Sequence, residues 1–163
     1  ETGDSGQFLA ADPSFVQFDE AIIDNLDLDF EVIQSGSEAA QLAAVDAALE
    51  REEPVLFYFY TPHWMHFQHD LTMVELPEWT EECEAKPEAE RDCGYPEDVL
   101  LKAANAELAD RLPEVHTFLS NMTMQNEWQD EITYAMDVEG LDAAEAAQQW
   151  VDTHEDDWRP WLP

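Results

Sequence analysis

The residue types best able to do chemistry crowd into one stretch, PVLFYFYTPHWMHFQHD, residues 54–70. It carries an aromatic run from Phe57 to Tyr60, followed by His63, His66 and His69, each three residues beyond the last. Three imidazoles raise the question of a metal. On a helix, residues three apart share a face, but the third position is rotated from the first by more than a quarter turn, so three ligands converge only across a kink. The chain has no H-E-x-x-H, and its cysteines do not match zinc spacing. Surface or capping histidines are the better reading. A metal-binding protein using His63, His66 and His69 stands as the alternative from another class. No G-x-S-x-G, P-loop or dinucleotide fingerprint occurs, and carboxylates are too numerous for any pair to be informative. The reading is therefore a non-enzymatic chain without a cofactor.

The aromatics alternate across an extended strand, Phe57 and Phe59 on one face, Tyr58 and Tyr60 on the other. Tyr60 sits at the carboxyl end, and ligands of open α/β sheets bind beyond the carboxyl ends of strands. Phe15 occupies the equivalent place in DPSF, the turn after an earlier strand. Core packing and the wall of a ligand pocket both remain open from periodicity alone.

Cys83 and Cys93 lie in a polar excursion, residues 80–96, rich in Glu and Pro. A disulfide closing this short loop is the expectation, with two free thiols the alternative, and it implies an oxidising, extracytoplasmic setting. Six Lys+Arg face 39 Asp+Glu, a net charge of -33, which repels phosphate backbones and anionic lipid surfaces and excludes nucleic acid as a partner. With 45% hydrophobic residues the chain can build a core, so the acid coats a folded surface whose self-repulsion salt must screen, as in a protein adapted to concentrated salt. No apolar run is long enough to span a bilayer. The opening ETGDSG lacks the features of a signal peptide, so any export signal lies upstream or has been removed.

The elements that must position these residues alternate in the first half. The spacing predicts a strand at 8–11, a helix over 15–26 and a strand at 29–34. Ser35 and Glu38 form a predicted capping box for a helix ending near Glu50, with Leu42, Val45 and Leu49 facing inward. Residues 54–60 read as a strand buried on both faces, then a helical turn from His63 and a strand at 71–76. Helices are expected over 96–112, 114–122 and 125–136, and Asp142 with Glu145 caps another over 143–154. This is α/β organisation: a small, mostly parallel sheet flanked by helices.

The segments GDSGQFLAADPSF, EPVLFYFYTPHWM, DLTMVELPEW and AAEAAQQWVDTHEDDWRPWLP, in this order, resemble the glycine betaine, proline betaine and choline substrate-binding proteins of ABC importers. The resemblance covers nearly the whole chain. It implies one lobe, residues 1–163, of a type II periplasmic-binding-protein fold, with the partner lobe absent from this chain. It also implies an extracytoplasmic protein, periplasmic or lipid-anchored at the outer membrane face, that works with an ABC permease.

By position, the family's aromatic before TPHW, a wall of the cage around the trimethylammonium group, is Tyr60 here. A second wall, after DP in the first loop, falls on Phe15. Backbone N–H groups of that loop, which hold the betaine carboxylate in the family, fall on Ser14, Val16 and Gln17. Trp64 also matches a family Trp, expected to pack beneath the site. The loop departs from the family's Gly-rich form, and both cage positions carry aromatics weaker than Trp. The implied ligand is a quaternary ammonium osmolyte, glycine betaine first, with choline or a carnitine-like compound the alternatives.

Overall fold

The computed structural model describes residues 5–15 and 17–163. Along the chain run β1 (Gly6–Ala10), α1 (Asp19–Asn25), β2 (Phe30–Gln34), α2 (Glu38–Glu50), β3 (Leu56–Phe57), α3 (Met65–Gln68), α4 (Glu81–Glu84), α5 (Leu108–Arg111), α6 (Pro113–Asn121), α7 (Asn126–Asp137), α8 (Ala143–Thr153) and α9 (Glu155–Trp158), with 3-10 turns at Glu88–Glu90 and Arg159–Trp161. The described residues fall into two compact units, one running to residue 59 and resuming at 73–97, the other made of 60–72 and 98–163.

The first unit holds the sheet, of order β2-β1-β3 and parallel throughout among the described residues. Parallel neighbours need a crossover, and the predicted helices supply it: α1 returns the chain to β2, and α2 carries it back to the far side of β1. Gly6 pairs with Phe30 and Phe8 with Leu56. The strand expected at 54–60 is shorter and half-buried rather than buried on both faces. It stands at the sheet's edge and among the described residues pairs with β1 alone; the ladder continues one step, Tyr58 N–H donating to Leu9 C=O at 3.0 Å.

Two expectations for α2 are corrected. Its N-cap is Ser37, not Ser35, because Gly36 takes φ +80° and leaves Ser37 extended, with its hydroxyl accepting the Ala40 amide at 3.2 Å. The buried face carries Gln41, Val45 and Ala48, while Leu42 and Leu49 are only half-buried. Gln41 fixes that rotation: its Nε2 donates to Tyr58 C=O at 2.6 Å and Leu9 C=O at 3.3 Å, reaching two strands at once. The helix therefore turns a polar residue inward.

The Cys83–Cys93 disulfide is present, Cα atoms 6.4 Å apart, and its loop is tied to α1. Tyr95 stacks on Phe18 at 4.2 Å, accepts the Phe18 amide at 2.9 Å and donates to Asp19 Oδ1 at 2.9 Å. Asn25 Nδ2 donates to the Ala89 and Arg91 carbonyls, and the Arg91 guanidinium lies 4.9 Å from the Phe18 ring centre.

The second unit is helical. Asp142 and Glu145 form both arms of the capping box on α8, as expected, with Ala144 and Glu145 amides donating to Asp142 at 2.9 Å. Its core is aromatic: Trp150 lies 5.3 Å from Trp128 and stacks on Trp161 at 5.8 Å. The strand expected at 71–76 and most of the helix expected at 96–112 are irregular; only Leu108–Arg111 is helical in the latter. Met73 and Leu101 are each 86% exposed. Apolar periodicity yields an element only where something buries it.

Candidate functional site

The turn after β1 is built by its own aspartate. Asp12 Oδ1 accepts the Ser14 amide at 2.8 Å, and Asp12 C=O accepts both the Phe15 amide and Gln17 Nε2 at 2.9 Å. Asp residues favour such turns because a short carboxylate reaches the amide two residues on. The Ser14 amide in turn draws the Asp12 carboxyl below its ordinary range. Of the amides expected to hold a ligand carboxylate, that of Ser14 already carries a carboxylate from within the chain. Val16 lies outside the described residues. Gln17 uses its side chain to close the turn, and Phe15 is half-buried.

Tyr60 belongs to the second unit, where it is 36% exposed and begins the bend leading into α3. Thr61–Pro62 is a cis peptide. His63 is buried, its ring edge-on to Tyr60 at 5.5 Å and tilted against Trp64 at 5.0 Å. His63 Nδ1 accepts the amide of Met65, the first residue of the short helix, at 3.1 Å. His66 Nε2 lies 3.0 Å from Tyr60 C=O, and since a carbonyl only accepts, the imidazole donates. These two histidines thus brace the bend that carries Tyr60. Among the described residues no group of three His, Cys, Asp or Glu is placed to hold a metal ion.

Residues that sequence reasoning missed secure the same bend from α7. Asn126 Nδ2 donates to Thr61 Oγ1 at 3.3 Å, Asp130 Oδ1 accepts the His63 amide at 2.6 Å, and Tyr134 packs on Phe67 at 5.0 Å. Positions 126, 130 and 134 are four apart and so share one helix face. That spacing is the signal that could have found them. Asp130 is only 5% exposed, and burial pushes its carboxyl above the ordinary range even though the His63 amide pulls the other way.

What these two aromatic turns belong to follows from comparison with known proteins. The family model for the substrate-binding domain of the ABC-type glycine betaine transport system matches residues 1–153. The chain belongs to this family. A trimethylamine N-oxide-binding protein of Pelagibacter ubique is 23% identical over 77% of the chain and 40% of its own length. The glycine betaine/carnitine transport binding protein GbuC of Listeria monocytogenes is 24% identical over 84% of the chain and 41% of its own length. The chain thus spans about two fifths of the curated relatives it matches.

Two solved structures share the fold. Lactococcal OpuAC, closed on glycine betaine, has a TM-score of 0.53 at 16% identity, covering 96% of this chain and 57% of that one. The glycine betaine/L-proline-binding protein ProX of Borrelia burgdorferi has a TM-score of 0.52 at 16% identity, covering 97% and 56%. Like them, the chain has a type II periplasmic-binding-protein fold, here with its small parallel sheet flanked by helices. The family is one of transport proteins, and no helix among the described residues is long and apolar enough to cross a membrane.

Proposed function

We propose that this chain is one lobe of the extracytoplasmic solute-binding component of an ABC importer, and that it binds a quaternary ammonium osmolyte, glycine betaine first, for uptake under salt stress. The observation carrying the reading is Tyr60, an exposed aromatic at the carboxyl side of a parallel strand, in a chain whose family is that of glycine betaine transport. Phe15, beyond the carboxyl end of β1, is the second ring of the cage. A quaternary ammonium has no N–H to donate, so aromatic faces are the recognition available to a protein, each ring contributing about 0.5 to 2 kcal/mol.

The relatives' named ligands, trimethylamine N-oxide, glycine betaine and carnitine, share such a methylated nitrogen. Choline or a carnitine-like compound is the alternative within the class. The carboxylate of betaine would take the backbone amides of Ser14, Val16 and Gln17, displacing the Asp12 carboxylate from Ser14. Amides serve here without altering a net charge of -33, and a zwitterion feels little net force from that field. The rest of the cage comes from the second lobe, whose closure presents the complex to the permease.

The test is a calorimetric titration of the full two-lobed protein with glycine betaine and with choline, alongside Tyr60→Ala and Phe15→Ala. Each variant should weaken binding by roughly 2- to 30-fold, the ring's contribution expressed as affinity. Parental affinity in both variants would show the cage lies elsewhere. The 163-residue chain alone should bind weakly or not at all, because half a cage leaves the ammonium in water; micromolar binding by it would contradict the two-lobed site.

A further inference from the structure

We propose that Asp130 is a positioning residue for ligand binding: through the His63 amide it holds the bend that presents the Tyr60 ring. The proposal rests on Tyr60 being a wall of the cage. A charged side chain is seldom this deeply buried without a task, because leaving water costs a carboxylate several kcal/mol unless donors replace the solvent. Asp130 has such a donor in the His63 amide at 2.6 Å. The bond fixes the backbone three residues beyond Tyr60. From there the constraint passes along two contacts: the His63 ring stands edge-on to the Tyr60 ring at 5.5 Å, and His66 Nε2 holds the Tyr60 carbonyl at 3.0 Å.

The neighbours of Asp130 on α7 reinforce the arrangement. Asn126 grips Thr61, immediately after Tyr60, and Tyr134 packs on Phe67 at the end of α3. One face of one helix thus grips the bend at its start, middle and end. A bend of this length, joined only to its own short helix, would let Tyr60 sample several orientations. Held at three points, the ring needs little further ordering when a ligand arrives, and preorganisation of this kind raises affinity without adding a contact.

Asp130→Ala and Asp130→Asn separate the possibilities, since Asn keeps an oxygen able to accept the His63 amide. In the ligand-free 163-residue chain, Asp130→Ala should speed hydrogen exchange of the His63 amide by about tenfold or more, as expected when a bond worth ~1.4 kcal/mol or more is lost. It should also shift the Tyr60 ring resonances, while Asp130→Asn leaves both near the parent. In the full two-lobed protein, Asp130→Ala should weaken glycine betaine several-fold, Asp130→Asn should restore most of it, and Asp130→Ala added to Tyr60→Ala should cost nothing further, because both act through one ring.

Unchanged Tyr60 resonances in Asp130→Ala, additive losses in the double variant, or Asn as damaging as Ala would each overturn the proposal. If Tyr60→Ala binds like the parent while Asp130→Ala still moves the Tyr60 resonances, the cage reading fails and the binding role of Asp130 falls with it, leaving only its hold on the bend. Should Asp130→Ala not fold, Asn126→Ala loosens the same bend from Thr61 and must shift the same resonances.

Discussion

Gln41 offers a sharp test of how the sheet and α2 are held together. It is 1% exposed, and its Nε2 bridges the carbonyls of Tyr58 and Leu9 while Oε1 has no partner among the described residues. In Gln41→Ala, loss of a buried donor costs about 1 to 3 kcal/mol. The emptied volume adds about 1 to 2 kcal/mol, and removing the unsatisfied Oε1 returns about 1. The net destabilisation centres near ~2 to 3 kcal/mol. Gln41→Met keeps the volume, loses the same donor and gains the same relief, so it should lie about 1 to 2 kcal/mol closer to the parent. Urea unfolding of the two variants, followed by far-ultraviolet circular dichroism and analysed at a common slope, reads both differences. An Ala variant within ~0.5 kcal/mol of the parent, or a Met variant more stable than the parent, refutes the bridging role.

Replacing Cys83 and Cys93 together by Ala should cost about 2 to 3 kcal/mol, the entropy of freeing a loop of this length, measured as a shift in urea midpoint; no shift would mean the loop is fixed by Tyr95 and Asn25 alone. Asp19 gives a pH signature. Burial raises its carboxyl above 3.8, with the Tyr95 hydroxyl pulling it down and Glu20 pushing it up. The folded state therefore holds a proton that the unfolded chain has released, and this group's contribution to stability falls as pH rises from about 3.8 through its raised folded value. Asp19→Asn, which can still accept from Tyr95, should lose that segment of the pH profile; a parent-to-variant difference constant between acid and neutral pH would contradict it.

Elements that complete themselves locally were legible in the sequence. The Asp142–Glu145 capping box needed only residues three apart, and α1, β2 and α2 lie within the expected stretches, although α2 is capped by Ser37 and not by Ser35. Misreadings fell where the outcome depends on distant partners. Val99, Leu100 and Leu101 are the apolar cluster of the helix expected over 96–112, yet all three are exposed, so nothing among the described residues rewards a helix there. The short β3 was overextended for the same reason, since strand length is set by a neighbour and not by apolar content. At the proposed site, Tyr60 and Phe15 were singled out by type and place. Asp130 and Tyr95 did not, because each acts on an amide far away in sequence, at separations of 67 and 77 residues.

The sheet order β2-β1-β3 has one more consequence. With β1 in the middle, both outer strands present open edges among the described residues, and on β2 the stretch FEVIQ carries a single charge. Such an edge can template pairing with a second molecule. Here the safeguard is long-range: at a net charge of -33, two copies repel before their edges can align. Added salt shortens the reach of that repulsion, so the ionic strength that relieves strain within one molecule also lowers the barrier between molecules. Colloidal stability and conformational stability should therefore respond to salt in opposite directions.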